Sequence, residues 1–376
     1  MHSEDMETRS PTTTSSTPYA LLSVKDVEAQ FRRLVEAMPG VSVYYALKAN
    51  HHPSIVGALH RQGSGFEVAS LGELEHLLNI GVAARDVVFS NPVKVPAHIR
   101  RSYELGVSRY AFDCATEVEK LAKNAPGSLV DLRLAVPDAG STFPLSEKFG
   151  CSEDDALDLI QLATQKGLRL AGVAFHVGSQ CTNAKSWAAA IEVVGRVLKA
   201  AAGLGFRAEH VNIGGGFPVA YAEPVPSIEE IGDVVADSAL RFLPYEVSLL
   251  AEPGRFLAAP SLRIVTSVIG REVRGGRNWI FLDMGVFQGL LECLEYEDWN
   301  YPMAVPGRPE GALNHFVVTG PTCDALDTIA RNALLPDETT VGDEVLIDLV
   351  GAYSLEYGSR FNGFQPPQVF EQTGEE

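Results

Sequence analysis

Short apolar runs, rich in β-branched and aromatic residues, recur along the first two thirds of the chain. Between them lie stretches such as 70–81 and 186–205, in which apolar residues return about every 3.6 positions, as in an amphipathic helix. Strands that alternate with helices form parallel sheets with right-handed crossovers. Eight such repeats favour a (β/α)8 barrel, with a doubly wound open sheet as the competing topology. The strand-like runs are 41–48, 64–70, 86–92, 109–113, 131–136, 170–177, 210–216 and 248–255.

The pattern changes after about residue 262. Strand-like segments then follow one another, with turn residues between them and without comparable long helices. These segments are 262–273, 278–285, 314–321 and 341–349. The fold class is therefore α/β: a barrel over 36–262 and a second, mainly β domain over 263–376. Residues 1–17 are expected to form a disordered leader, since 9–17 contain seven Ser or Thr and no apolar anchor.

Composition narrows the class of protein. The 376 residues carry a formal charge of −18, and 46% are apolar, which excludes global disorder. That charge argues against binding to a nucleic-acid backbone, and no apolar run is long enough to predict a membrane helix. The five cysteines are scattered and form no C-x-x-C pair, so neither a disulfide framework nor a cysteine zinc site is predicted. A reducing cytoplasm is the expected compartment.

Catalytic residues of such barrels lie at the carboxyl ends of the strands, which makes the polar residues there informative. The first run ends in Lys48, which desolvation could activate as a Schiff-base amine. The sixth contains His176, the seventh ends in three glycines suited to an anion, and the eighth contains Glu252 and Arg255. Taken singly, each has a plainer interpretation: a surface lysine, a core histidine, a tight turn or a surface ion pair.

Together these residues fit one ligand. A lysine, an anion-binding turn, an arginine, a flat histidine and a carboxylate are what pyridoxal 5′-phosphate requires, with the carboxylate on its pyridine nitrogen. The combination, rather than any single motif, predicts this cofactor. The glycine motif is neither a Walker loop nor G-x-G-x-x-G, so it does not indicate a nucleotide.

Seven ordered motifs resemble those of the fold-type III pyridoxal-phosphate decarboxylases, the ornithine and diaminopimelate decarboxylase family with an alanine-racemase-like barrel. They extend from about residue 18 to residue 367. The motifs are YYALKAN, GFEVASLGELE, HVGSQ, NIGGGFP, EPGRF, GPTCDALD and GAYSLEYGSRFNGFQ. The resemblance implies that 18–35 join 263–376 in a β-sandwich or β-barrel domain.

The resemblance also implies roles for single residues. Lys48 would form the Schiff base, His176 would stack on the cofactor ring, and Glu252 would keep its pyridine nitrogen protonated. Cys323 would protonate Cα and, with Asp324, would enter from the partner subunit of a homodimer with shared active sites; a buried apolar cysteine is the plainer alternative. Glu73 would support the site. The other implied cofactor contacts are Glu67 (where relatives commonly have Asp), Arg133, Ser179, Gly214, Gly215, Gly216, Arg255 and Tyr353.

The sequence CDALD favours ornithine or lysine over diaminopimelate, because Asp324 offers a carboxylate to a distal ammonium. A second carboxylate would come from the acidic segment 290–299, with Glu297 and Asp298 preferred over Glu292 and Glu295; a solvated acidic turn is the alternative. Phe361 would line the apolar face from which the carboxylate leaves, unless it is a core residue.

We therefore predict a decarboxylase that converts L-ornithine, L-lysine or both to putrescine or cadaverine. Ornithine and lysine differ by one methylene, which contributes only about 1–3 kcal/mol of discrimination. The alternatives are a diaminopimelate or other diamino-acid decarboxylase, a racemase, and a non-catalytic regulatory homologue. Intact Lys48, Glu252 and Cys323 argue against the last of these.

Overall fold

The computed structural model describes residues 16–296, 299–308 and 311–372. The strands are β1 (Tyr19–Leu22), β2 (Val41–Ala46), β3 (Gly65–Val68), β4 (Val87–Phe89), β5 (Arg109–Phe112), β6 (Leu129–Arg133), β7 (Ser141–Phe143), β8 (Arg169–Ala174), β9 (Ser179–Cys181), β10 (His210–Asn212), β11 (Ser248–Ala251), β12 (Leu262–Arg274), β13 (Arg277–Leu282), β14 (Met303–Ala304), β15 (Leu313–Thr319), β16 (Thr328–Pro336), β17 (Glu344–Ile347) and β18 (Gln368–Glu371). The helices are α1 (Val24–Ala37), α2 (Pro53–Arg61), α3 (Leu71–Ile80), α4 (Pro96–Glu104), α5 (Ala115–Asn124), α6 (Ala156–Gln165), α7 (Lys185–Gly203), α8 (Ile228–Phe242), α9 (Arg255–Ala258) and α10 (Glu292–Glu295).

A closed parallel barrel forms the larger unit, with the strand order β10-β11-β2-β3-β4-β5-β6-β8. Each of the eight runs predicted from the sequence overlaps one of these strands. The predicted (β/α)8 barrel is therefore confirmed, and the open-sheet alternative is wrong, because β8 pairs with β10 and closes the ring.

The helices of the barrel begin and end where their sequences direct. Ser70 caps α3 by accepting a hydrogen bond from the N–H of Glu73, whose carboxylate accepts one from Ala69. Gly81 ends the helix in the left-handed region, with φ +98°. A capping box begins α8 in the same way: the Ser227 side chain accepts a hydrogen bond from the N–H of Glu230, and the Glu230 carboxylate accepts one from the N–H of Ser227.

Helix α1 occupies a different place from the one that the resemblance implied. Its last residue packs closely against α8, where a Cβ on Gly232 would lie 2.3 Å from the carbonyl oxygen of Ala37. On its other side Glu28 lies 3.8 Å from Arg61 of α2. From Glu28 onward α1 belongs to the barrel unit, filling the place between α2 and α8. Only β1 and the start of α1, up to Val27, belong to the same unit as the C-terminal strands.

The chain divides into two compact units. The barrel unit contains Glu28–Val219 and Val225–Phe256. The second unit contains the described residues up to Val27, Ala220–Pro224 and those from Leu257 onward.

The predicted mainly β domain is confirmed in the second unit. Its eight-stranded sheet has the order β14-β17-β12-β13-β15-β16, and β1 pairs with β12 and β18. Strand β12 reaches both halves of the sheet through an irregularity between Val268 and Gly270. Within the described ranges, no helix is both long and apolar enough to span a bilayer.

Candidate active site

Lys48 lies directly after β2, at the carboxyl end of the barrel. Its ammonium contacts the Glu67 carboxylate of β3 at 2.9 Å, and its side chain is 45% exposed while that of Glu67 is 2% exposed. The sequence suggested that desolvation controls this lysine. The structure shows instead a half-exposed amine held by a buried carboxylate, because β2 and β3 are neighbours in the barrel.

His176 follows β8 and faces the same end of the barrel. Burial lowers the pKa of its imidazole well below the ordinary value, and the positive charges of Arg133 and Lys48 lower it further. Its Nδ1 accepts a hydrogen bond from the N–H of Gly178 at 3.0 Å. The ring is therefore neutral and fixed in orientation, as a flat stacking group requires.

The glycine turn after β10 (Gly214–Gly216) tolerates no side chain. A Cβ on Gly214 would lie 2.3 Å from the Phe175 carbonyl oxygen, and one on Gly216 would lie 2.3 Å from that of Gly178. Both residues have positive φ, +67° and +93°. Among the described residues, the N–H groups of Gly215 and Gly216 donate to no acceptor. The backbone is thus open to an anion at close range.

Arg255 begins α9 just beyond β11 and lies near this turn in the fold. Although it is only 4% exposed, its guanidinium donates a hydrogen bond to Ser179 Oγ at 3.2 Å and lies 5.3 Å from the centre of the Phe143 ring. A buried arginine, a serine hydroxyl and the glycine turn form a donor set suited to a phosphate.

Glu252, the residue after β11, is held by two side chains that the sequence did not single out. Ser90 donates to its Oε1 at 2.5 Å, and Asn212 donates to the same oxygen at 2.7 Å. Burial raises the pKa of Glu252 and the negative charge of Glu67 raises it further, against the opposing effects of Ser90, Lys48 and Asn212. Such a carboxylate favours a cationic partner, such as a protonated ring nitrogen.

Arg133 ends β6 and lines a small cavity with Glu252 and His176. Burial lowers the pKa of its guanidinium, while the carboxylates of Glu252, Asp113 and Glu67 act in the opposite direction. Its guanidinium lies 5.1 Å from the centre of the Phe149 ring. Arg133 therefore supplies buried positive charge to the same end of the barrel.

The remaining predicted site residues lie in the second unit. Cys323 is an exposed thiol, and its N–H donates to Asn362 Oδ1 at 3.0 Å. Asp324 accepts a hydrogen bond from the N–H of Leu326. Phe361 is 41% exposed and contacts Phe287, so it is not a core residue. Tyr353 has a positive φ of +55°.

Of the acidic candidates, Glu297 and Asp298 lie outside the described residues. Glu292 is buried at 4% exposure and accepts a hydrogen bond from Tyr301, so a solvated turn does not describe it.

A buried contact that the sequence did not reveal lies one layer deeper in the barrel. His210 of β10 and Asp131 of β6 are separated by β8, yet their Nε2 and Oδ1 atoms lie 3.0 Å apart. Both residues are in register with Gly172 of β8. The missing Cβ at Gly172 gives the imidazole its space, since a Cβ there would lie 2.2 Å from Nε2.

The arrangement fits pyridoxal 5′-phosphate. The glycine turn, Ser179 and Arg255 could hold its phosphate, while His176, Glu252 and Lys48 offer a flat ring, a carboxylate and an amine. All come from segments that follow strands of one barrel, and the N–H groups of Gly215 and Gly216 are open to an anion.

Comparisons with known proteins agree with this chemistry. Residues 24–259 match the family model described as "pyridoxal-dependent decarboxylase, pyridoxal binding domain". A lysine/ornithine decarboxylase from Selenomonas ruminantium is 34% identical over 362 residues, covering 96% of this chain and 91% of that protein. Antizyme inhibitor 2 of Xenopus laevis is 32% identical over 361 residues, covering 92% of this chain and 78% of that protein.

Solved structures are similar as well. The crystal structure of a lysine/ornithine decarboxylase from Vibrio vulnificus, complexed with putrescine, has a TM-score of 0.85 and 35% identity. The match covers 95% of this chain and 94% of that one. The range 24–259 includes all the barrel residues described above, from Lys48 to Arg255.

Proposed function

This chain belongs to the family of pyridoxal-dependent decarboxylases, and from that premise we propose that it decarboxylates L-ornithine, L-lysine or both, to putrescine or cadaverine. One observation carries the proposal: five strands of a single barrel bring Lys48, Glu67, His176, the glycine turn and Glu252 to the same end. The cofactor is pyridoxal 5′-phosphate, which accepts the electrons left at Cα when CO2 departs.

The chain's own residues bind and orient the reactants. Lys48 would attach the cofactor through its amine, and that amine donates a hydrogen bond to Glu67 at 2.9 Å. Neutral His176 would stack on the cofactor ring. The charge of Glu252 would keep the ring nitrogen protonated. The N–H groups of the glycine turn, Ser179, Arg255 and Tyr353 would bind the phosphate.

Further roles in the reaction fall to Cys323, Asp324 and Phe361. Cys323 delivers a proton to Cα, a role that suits an exposed thiol. Asp324 and an acid of the 297–298 pair bind the distal ammonium, and Phe361 covers the departing carboxylate. We further propose that Cys323 and Asp324 come from the partner subunit of a homodimer, in a reducing cytoplasm where the five cysteines stay free thiols.

The names of the similar proteins support a basic substrate, because two of them are lysine/ornithine decarboxylases. A diaminopimelate decarboxylase is less well supported, since Asp324 rather than Glu follows the cysteine. The likeness to an antizyme inhibitor favours a second candidate, a non-catalytic regulatory protein. The ion pair of Lys48 and Glu67 and the held carboxylate of Glu252 support the enzyme, since a regulator needs neither.

Absorption spectroscopy tests the cofactor and its lysine. The purified chain incubated with pyridoxal 5′-phosphate is expected to gain visible absorbance that persists after desalting. Lys48→Ala abolishes the absorbance, whereas Lys199→Ala, which removes an exposed lysine from α7, leaves it unchanged. A wild-type chain that retains no cofactor contradicts the proposal. Retention without any amine product from ornithine or lysine favours the regulatory candidate.

A further inference from the structure

The two hydrogen bonds to Glu252 meet at a single oxygen atom. Ser90, which follows β4, and Asn212, the last residue of β10, both donate to Oε1. Among the described residues, no group donates a hydrogen bond to the second oxygen, Oε2. The carboxylate is therefore fixed by two hydrogen bonds at Oε1, and its other oxygen is available to a ligand.

Asn212 connects this carboxylate to the glycine turn. Its Nδ2 donates to Glu252, while its Oδ1 accepts a hydrogen bond from the N–H of Gly214 at 2.9 Å. The backbone adds a third link, since the N–H of Glu252 donates to the Gly214 carbonyl at 2.8 Å. Asn212 is 4% exposed, and both the nitrogen and the oxygen of its side-chain amide are hydrogen-bonded. One side chain thus sets the spacing between the carboxylate and the anion-binding turn.

Ser90 is fixed from the other side by the loop that it begins. Lys94, whose side chain is fully buried, donates to the carbonyl oxygens of Asn91 at 2.8 Å and Ala111 at 2.6 Å. Its ammonium also contacts Glu117 of α5 at 2.9 Å. These bonds fasten residues 90–94 to β5 and α5. The hydroxyl of Ser90 consequently meets Glu252 from a rigid loop.

We propose that Ser90 and Asn212 are positioning residues that orient Glu252 and favour its charged form, so that Oε2 can receive the protonated ring nitrogen of the cofactor. This inference rests on the proposed function and adds to it. Hydrogen bonds from fixed donors favour the charged carboxylate, against burial and against the nearby charge of Glu67. Fixed donors also need no reorganisation when the ring nitrogen becomes charged.

The test combines two variants of the full-length chain. Ser90→Ala removes one donor, and Asn212→Leu replaces the other by an apolar side chain of similar size. Each is expected to weaken pyridoxal 5′-phosphate binding and to lower kcat by roughly tenfold, with KM nearly unchanged, and to shift the visible absorption band. Ser90→Thr keeps a hydroxyl and should retain activity. Ser102→Ala, which removes a fully buried hydroxyl from α4, is the matched control.

The outcomes distinguish a failure of the positioning role of Ser90 and Asn212 from a failure of the proposed decarboxylase function. A wild-type chain that binds cofactor and makes amine, with Ser90→Ala equal to it in kcat and cofactor affinity, overturns the inference alone. Equal losses of kcat in Ser90→Ala and Ser102→Ala also overturn it, because they indicate a general loss of stability. A wild-type chain without cofactor overturns the proposed function together with the inference.

Discussion

Glu252 illustrates at the scale of one residue how the site favours a bound cation. Burial and Glu67 raise the pKa of its carboxyl, whereas Ser90 and Asn212 oppose the shift. Without a cationic ligand, the folded chain therefore binds a proton at Glu252 more tightly than the unfolded chain does. The ionised Glu252 carboxylate therefore destabilises the folded, cofactor-free chain, and a bound cofactor with a positive charge on its ring nitrogen would offset this.

Glu252→Gln should therefore stabilise the cofactor-free protein while weakening cofactor binding. The destabilisation by Glu252 is absent below the ordinary carboxyl pKa, grows as the pH rises through the raised pKa, and is complete above it. In thermal unfolding of the cofactor-free proteins, the variant should have the higher Tm at about pH 8, and the difference should shrink towards about pH 4. A variant with the lower Tm at about pH 8 would contradict this.

The contact of Asp131 and His210 depends on a glycine in the strand between them. A Cβ on Gly172 would lie 2.2 Å from Nε2 and 2.5 Å from Cδ2 of His210. An added methyl group must therefore displace the imidazole, which leaves the Asp131 carboxylate buried without its neighbour.

Gly172→Ala is accordingly expected to lower the free energy of unfolding by about 2–4 kcal/mol. The double variant Gly172→Ala/His210→Ala should recover part of the loss, because the clash is removed. Denaturant titration measures both, and Gly72→Ala in α3, where the nearest atom lies 3.8 Å away, is the control. Wild-type stability in Gly172→Ala would show that the close approach is not restrictive.

Residues that end a strand-like run could be found from the sequence. Lys48, His176 and Glu252 each follow an apolar run directly, and the rule for barrel active sites selects them. Ser90 also follows a run, but a serine there has no distinctive signal. Asn212 lies two residues before the glycine turn, and its contact with Glu252 joins residues 40 positions apart. The pairing of β10 with β11 brings Asn212 and Glu252 together, whereas Ser90 reaches Glu252 from β4, which is not a neighbour of β11, because the barrel is closed.

At the scale of elements, β strands were easier to predict than the place of α1. Alternation of apolar runs and amphipathic stretches located every barrel strand. The amphipathic pattern of α1 indicates a buried face but does not state which neighbours cover it. Its packing against α8 depends on Gly232, whose missing side chain lets the backbone of Ala37 approach.

Gly232→Ala should therefore loosen α1 from α8. A Cβ at this position would lie 2.3 Å from the backbone oxygen of Ala37, which cannot rotate away, so we expect a loss of about 1–3 kcal/mol in the free energy of unfolding. Gly203→Ala, in the last turn of α7 with no atom within 4 Å, should instead stabilise by about 0.5–1 kcal/mol. Denaturant unfolding compares the two, and equal effects would contradict the proposed packing.

At the scale of the whole molecule, the net charge of −18 argues against a nucleic-acid ligand. With a basic amino acid as the proposed substrate, the same charge gives a field that attracts cationic diamino acids. The barrel unit carries Lys48 and the second unit carries Cys323. We propose that each active site combines Lys48 of one chain with Cys323 of its partner.

A mixture of inactive variants tests the proposed shared site. Lys48→Ala and Cys323→Ala are each expected to lose most of the activity, and mixing them should restore up to about a quarter of the wild-type activity, since hybrid dimers contain one intact site. Amine release after exchange of subunits is the measurement. Mixing either variant with itself is the control. No recovery, despite mass-spectrometric evidence of hybrid dimers, would place both residues in one chain.

The central claim is that this chain decarboxylates a basic amino acid by means of Lys48, and product analysis tests it most directly. The holoenzyme is incubated separately with L-ornithine, L-lysine, L-arginine and diaminopimelate, and CO2 and amine are quantified. We predict equal amounts of CO2 and of putrescine or cadaverine from ornithine or lysine, and no product with Lys48→Ala. A holoenzyme that releases no CO2 from either substrate, or an active Lys48→Ala variant, would contradict the account.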